Sequence, residues 1–196
     1  MAIADVSKRS EVEAMIAHSV KELGPLHCMV ANAGIAQVKP LLDLSEEDFE
    51  RMFQVNVFGV HNCYSLAAKQ FISQGKLAPA DGRPTPVYKI IGAASIVAFK
   101  PFPLLSHYSA SKWAVRGLTQ AYAMELAEYG VTVNAYAPGI VGTAMWDLID
   151  EKLAERNGAE KGSMIEKYVH DLTALGRVST TDDVAKLVAF LASHGE

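Results

Sequence analysis

Cysteine is nearly missing from this 196-residue chain: Cys28 sits in an apolar run and Cys63 on a helix-like stretch. Two cysteines exclude a disulfide framework, and their spacing is not that of metal ligands, so both are expected as buried thiols of a reducing compartment. Long hydrophobic runs are missing too. None approaches the ~18 residues of a membrane span, and Asp5, Lys8, Arg9 and Glu11 stand where a signal peptide would be apolar. A cytoplasmic protein with no membrane partner is expected. Charge of one sign is scarce as well: 18 Lys plus Arg face 22 Asp plus Glu, a net charge of -4, with no block of either. Nucleic acid is therefore not an expected partner.

What is present suits a folded core. Half of the residues are hydrophobic and 20% are charged, which excludes the disordered class. The length fits a single domain over 1–196, and no internal repeat is visible.

Ser10 and Glu13, at capping-box spacing, and Val12, Ile16, Val20 and Leu23, at helical intervals, predict a first helix that Gly24-Pro25 stops. Leu26 to Ala31 reads as a buried strand closed by Asn32-Ala33-Gly34. A long helix is expected from about Ser45 to Phe71, with Phe49, Phe53, Val60, Tyr64, Ala67 and Phe71 along one face. Gln74 to Pro86 is expected as a surface loop, Val87 to Ala94 as a strand and Ser106 to Tyr129 as a helix. Val131 to Tyr136 is expected as a strand, Met145 to Glu155 as a helix and Arg156 to Gly162 as a polar connection. Thr180 and Asp183 cap a last helix with an apolar stripe of Val184, Leu187, Val188 and Leu191. Strands alternating with helices through buried apolar runs indicate the α/β class: a doubly wound parallel sheet, Rossmann-like, in three α/β/α layers.

Asp5, Asn32 to Gly34, Ser95 and Pro138-Gly139 each come directly after a predicted strand. They share the carboxyl-end rim of the sheet, where open α/β sheets bind ligands. On the same rim, Tyr108 and Lys112 are four residues apart on a helix and so share a face. An ammonium beside a phenol favours the phenolate, which lets the hydroxyl exchange a proton nearer neutral pH. Ser95, 13 residues before Tyr108, can hold a carbonyl oxygen beside the phenol; as a residue after a strand it can equally be a turn or cap. Asn56 is a polar intruder on an apolar helix face, either a structural amide or the anchor of a proton-conducting water. A serine nucleophile with His107 as base competes weakly, because Gly-x-Ser-x-Gly is missing and adjacent helical residues point about 100° apart.

Asp5-Val6, Asn32-Ala33-Gly34, Asn56-Val57-x-Gly59, Ser95, Tyr108-Ser-Ala-Ser-Lys112 and Pro138-Gly139-x-x-x-Thr143 together resemble the ordered signature of the short-chain dehydrogenase/reductase family. The resemblance implies a hydride-transferring oxidoreductase that uses NAD or NADP. It implies Tyr108 as general acid/base, Lys112 as the residue that lowers its pKa and holds the nicotinamide ribose, Ser95 on the substrate oxygen and Asn56 on a relay water. It further implies Asp5 and Val6 at the adenine, Asn32, Ala33 and Gly34 at the ribose, and Pro138, Gly139, Val141 and Thr143 at the nicotinamide. The run PGIVGTAMWDLIDEKLAERNG is similar to the diacetyl (acetoin) reductase and 2,3-butanediol dehydrogenase branch, which implies a small carbonyl or alcohol substrate between Ser95, Tyr108, Met145 and Trp146. Trp146 at helical spacing also suits plain core. Sugar and polyol dehydrogenases share much of the pattern. A homotetramer is implied through the two long helices.

The chain departs from the family in one respect: Gly-x-Gly-x-x-Gly, whose amides hold a pyrophosphate, is missing among the 14 glycines. The resemblance sets Met1 in the family's third strand, so a domain truncated at both ends is expected. Met1 to Asp5 then lacks its strand neighbour, and the strand ending at Ala31 becomes an exposed apolar edge. A catalytically silent member acting as an interaction or regulatory protein is the alternative that this departure leaves open.

Overall fold

A computed structural model describes residues 1–75 and 88–193. Three apolar runs form a parallel sheet in the order β1 (Cys28–Ala31), β2 (Tyr88–Ala93), β3 (Val131–Tyr136). Met29 lies opposite Ile90, and Ile90 opposite Val133. The middle strand β2 is buried at every position, the mark of a parallel strand covered on both faces, whereas Val30 of β1 and Asn134 of β3 are exposed.

Alternation along the strands divides the core. Met29, Ala31, Ile90, Val131 and Val133 face a layer made by α1 (Arg9–Leu23), α3 (Gly59–Gln74) and α4 (Ser106–Leu126). Ile91, Ala93 and Tyr136 face the opposite layer, where α7 (Thr181–Ala192) packs through Val184, Val188 and Leu191. The architecture is thus the three-layer α/β/α sandwich expected. At Gly92 no side chain fits: a Cβ there would stand 1.9 Å from Tyr64 Oη.

Several elements differ from expectation. Met1 to Asp5 form no strand. The first helix begins at Arg9 with Lys8 as cap, and Ser10 lies inside it, because Glu11 reaches back to the Asp5 amide at 2.7 Å instead. The long central helix is three segments: α2 (Glu46–Phe53), a π-helical turn at Gln54–Phe58, and α3. A π turn carries an extra residue and so rotates the face of the helix beyond it. Val60, Tyr64, Ala67 and Phe71 are therefore core, whereas Phe49 is 40% exposed and stacks on Phe53. Leu187 is 48% exposed on the flank of α7. After α5 (Ala144–Asn157) comes an unanticipated helix, α6 (Ser163–Leu172), whose start is held by the buried Asp150 carboxylate through the amides of Gly162 and Ile165. The loop expected over Gln74 to Pro86 lies largely outside the described residues.

Cys63 is buried, and burial pushes its thiol up to about 11; Cys28 is only half-buried. Among the described residues no helix is long and apolar enough to cross a membrane, and no His, Cys, Asp or Glu cluster could hold a metal. Val30 on β1, the outer strand of the described sheet, is 39% exposed.

Candidate active site

At the carboxyl ends of the three strands lies a cleft of about 690 Å³. The chain breaks there for local reasons: Asn32-Ala33-Gly34 ends β1, Ser95 ends β2 and caps a short 3₁₀ turn by accepting from the Val97 amide at 3.3 Å, and Pro138-Gly139 ends β3. Backbone bonds from Ala94 N to Tyr136 O (2.9 Å) and from Ile96 N to Pro138 O (3.0 Å) lock two of these loops together.

Asn32, Ala33, Gly34, Ser95, Tyr108, Lys112, Pro138, Gly139, Val141, Thr143, Met145 and Trp146 all line this cleft. Asn56 stands just behind the lining. Its amide bonds Ile35 N and Ile35 O, each at 2.9 Å, and donates to Ser111 Oγ at 3.1 Å, so it is a satisfied group 0% exposed. Asp5 and Val6 are not brought to the cleft. Val6 is pinned against Gly59 and accepts from Asn62 Nδ2 at 3.0 Å, while Asp5 is exposed and bonds Ser7. His107 bonds Gln37, 2.9 Å away, and reaches no serine nucleophile, which removes the serine–histidine scheme.

Lys112 and Tyr108 enter from the first turns of α4. The ammonium lies 5.7 Å from the phenol ring centroid and donates to Ala93 O at 2.7 Å. Burial pulls the Lys112 pKa down to about 8. Burial also raises the Tyr108 phenol above its ordinary value, and a hydrogen bond with Ser95 opposes that shift. The expected lowering of Tyr108 by Lys112 is not found: desolvation sets the direction of the shift, and the opposing contribution comes from Ser95.

Reading the sequence did not assign to the site Tyr136, Phe102, Leu105 or Ile149, which also line the cleft, nor Thr181, Val184 and Val188 of α7, the two valines being read only as an apolar stripe. Tyr136 was discoverable as the last residue of a strand two places before Pro138. Lys112 is the only charged residue of the lining among the described residues; most of the rest is apolar.

The short chain dehydrogenase family model matches residues 1–154. L-2,3-butanediol dehydrogenase of Corynebacterium glutamicum is 48% identical over 190 residues, 97% of this chain and 69% of that protein. The (S)-acetoin-forming diacetyl reductase of Staphylococcus epidermidis is 42% identical over 191 residues, 97% and 70% of the two chains. Among solved structures, NAD⁺-bound xylitol dehydrogenase superposes with a TM-score of 0.85 at 25% identity, covering 97% of this chain and 71% of that one. A gluconate 5-dehydrogenase from Burkholderia cenocepacia, in complex with NADP and tartrate, gives 0.79 at 27% identity, covering 98% and 68%. With that ordered set of residues on one rim and these relatives across nearly its whole length, the chain belongs to the short-chain dehydrogenase family of oxidoreductases.

Proposed function

We propose that the protein reduces a small ketone, vicinal diketone or acyloin of the diacetyl and acetoin type with NAD or NADP, using Ser95, Tyr108 and Lys112. The observation that carries this reading is the convergence of those three side chains on one apolar cleft. The names of the butanediol and diacetyl relatives support it. When bound, the nicotinamide supplies the hydride.

The residues present fit the nicotinamide-ribose half of such a cofactor. Gly34 is a cradle: a Cβ would stand 3.2 Å from Asn56 Oδ1 and 3.5 Å from Lys112 Nζ, filling the approach to the ammonium. An ammonium has three N–H donors, and one of those of Lys112 goes to Ala93 O, a donor set suited to a ribose diol. Asn32, Ala33, Pro138, Gly139, Val141 and Thr143 border the same side. Tyr108 gives its phenolic proton to the carbonyl oxygen. Its raised pKa leaves the phenol protonated at neutral pH, the state that donates. Ser95 donates to the same oxygen and orients it.

Phe102, Leu105, Met145, Trp146 and Ile149 form an apolar wall, which favours a short uncharged substrate over a polyol or sugar needing many polar partners. Assembly into a homotetramer belongs to this reading, supported by exposed Phe58, Trp113 and Met124 on the helices expected to pair. A cytosolic setting belongs to it as well, supported by the two free thiols.

The decisive experiment is Tyr108→Phe, assayed with diacetyl, acetoin and a five-carbon polyol. Loss of a general acid is expected to lower turnover by ~10²- to 10⁴-fold with the fold retained. Near-parental turnover would refute the mechanism, and a preference for the polyol would refute the substrate class.

A further inference from the structure

We propose that Gln37 and His107 are positioning residues that fasten the segment 35–39 over Tyr108 and so align its phenol. This rests on Tyr108 as acid/base and goes beyond it by naming what holds the ring.

The segment behaves as a strap whose residues alternate in role. Ala36 and Val38, with Ile35, pack against the cluster of Met52, Val97, Leu105 and Tyr108. The odd positions carry the polar attachments. Ile35 is bonded through both its backbone groups to Asn56. Lys39 donates its amide to Leu104 O at 2.9 Å, and its ammonium pairs with Asp48. Gln37 is bonded to His107 Nε2 at 2.9 Å and donates Nε2–H to Asp48 Oδ1 at 2.8 Å.

These partners settle the direction of each bond. A carboxylate only accepts, so the Gln37 amide presents its NH₂ to Asp48 and its Oε1 to the imidazole. His107 Nε2 therefore carries the proton and donates. His107 is 0% exposed, and burial depresses its pKa, with the Asp48 carboxylate opposing and the Lys39 ammonium adding. It stays neutral and keeps one tautomer. Being next to Tyr108 in the first turn of α4, it ties the start of that helix to the strap.

The joint stores strain as well. Leu104, two residues before α4, has φ +66, the one non-glycine residue with positive φ among the described residues. A leucine there is held only by its surroundings, and the Lys39 amide on its carbonyl is one of them. A phenol that must meet a carbonyl oxygen at hydrogen-bond distance is sensitive to such support, since a displacement of ~1 Å costs about a hundredfold in rate.

The test uses single-turnover carbonyl reduction in the intact protein, NAD(P)H affinity, and Tyr108→Phe as reference. Gln37→Met and His107→Phe, near in volume, are each expected to slow reduction about tenfold while cofactor affinity changes less than about threefold. Because one bond joins them, the double variant is expected to be no slower than the worse single. His107→Gln, which keeps an N–H donor toward Gln37, is expected to recover the rate to within about threefold. Singles within about twofold of the parent, multiplicative losses in the double, or an equal loss of cofactor affinity overturn the proposal. An active Tyr108→Phe overturns the acid/base reading instead. Gln37 lies on a half-buried segment, so its variant decides the matter even if His107→Phe does not fold.

Discussion

Tyr136 donates its phenolic hydrogen to Asn32 Oδ1, tying the end of β3 to the end of β1 across the end of β2. The two strands are not neighbours, so no backbone bond does this. Asn32 is itself exposed on the first rim loop, while Tyr136 is 5% exposed beneath it. Tyr136→Phe removes one hydroxyl and keeps the ring. A neutral hydrogen bond contributes ~0.5 to 1.5 kcal/mol, so NAD(P)H affinity is expected to weaken by about two- to tenfold as the Asn32 loop loosens. Fluorescence titration of NAD(P)H checks this. Unchanged affinity would show that the bond is decorative.

Most local signals in the sequence held, the Ser10–Glu13 box being the exception, and distant ones were invisible. The strand at Val131–Tyr136 has the bounds its apolar run predicts, and the boxes at Ser45 with Asp48 and at Thr180 with Asp183 form as their spacing requires. Each box depends on residues three apart. By contrast α6 starts on the Asp150 carboxylate, 12 and 15 residues upstream of the amides it holds, so no neighbouring cap announces it. Asn56 was visible as an intruder, but the π turn that carries it, and its bond to Ser111 55 residues away, were not. The Gln37–His107 bond spans 70 positions. Most of the family signature, Asp5-Val6 and Asn56 excepted, marks residues lining the cleft, and the supports behind them exist only once the chain is folded.

Gly92 is held small by Tyr64. A Cβ would fall 1.9 Å from Tyr64 Oη and 2.9 Å from Cζ, while that hydroxyl shares a 3.0 Å hydrogen bond with Thr119 and is 0% exposed as part of its residue. Gly92→Ala must displace the ring and break the bond, and overpacking of this kind costs ~1 to 3 kcal/mol or more. Tyr64→Phe in the same chain removes the nearest atom, so the double variant is expected to be more stable than the sum of the two losses. Urea melts of the three variants give the coupling; strict additivity would refute the contact.

Trp146 stands half-buried in the cleft wall next to Met145, with its amide on the Thr143 carbonyl at 2.9 Å. If the indole sets the size of the substrate, Trp146→Ala lowers kcat/KM for diacetyl by about 10- to 200-fold for lost apolar contact and raises it for ketones longer by several methylenes. Thermal melting controls for packing. A variant that loses every substrate in equal measure assigns the indole to the core.

Lys112 predicts how stability responds to alkali. Burial lowers its pKa to about 8, against an ordinary lysine near 10.5 in the unfolded chain. Between those values the unfolded chain holds a proton that the folded chain has released. Stability therefore rises with pH through that window, because the slope is set by protons bound unfolded minus folded. Buried thiols and phenols act the other way: burial raises Cys63 to about 11 and Tyr64 to about 12, and raises Tyr108 and Tyr136 as well, which favours the unfolded chain once these groups ionise. Comparison with Lys112→Met isolates the lysine, since that variant keeps these opposing groups. The difference in unfolding free energy between pH 7.5 and 9.5 is expected to be more positive in the parent than in Lys112→Met. Equal pH dependence in the two would mean that Lys112 keeps an ordinary pKa, and that its ammonium is solvated well enough to remain charged throughout.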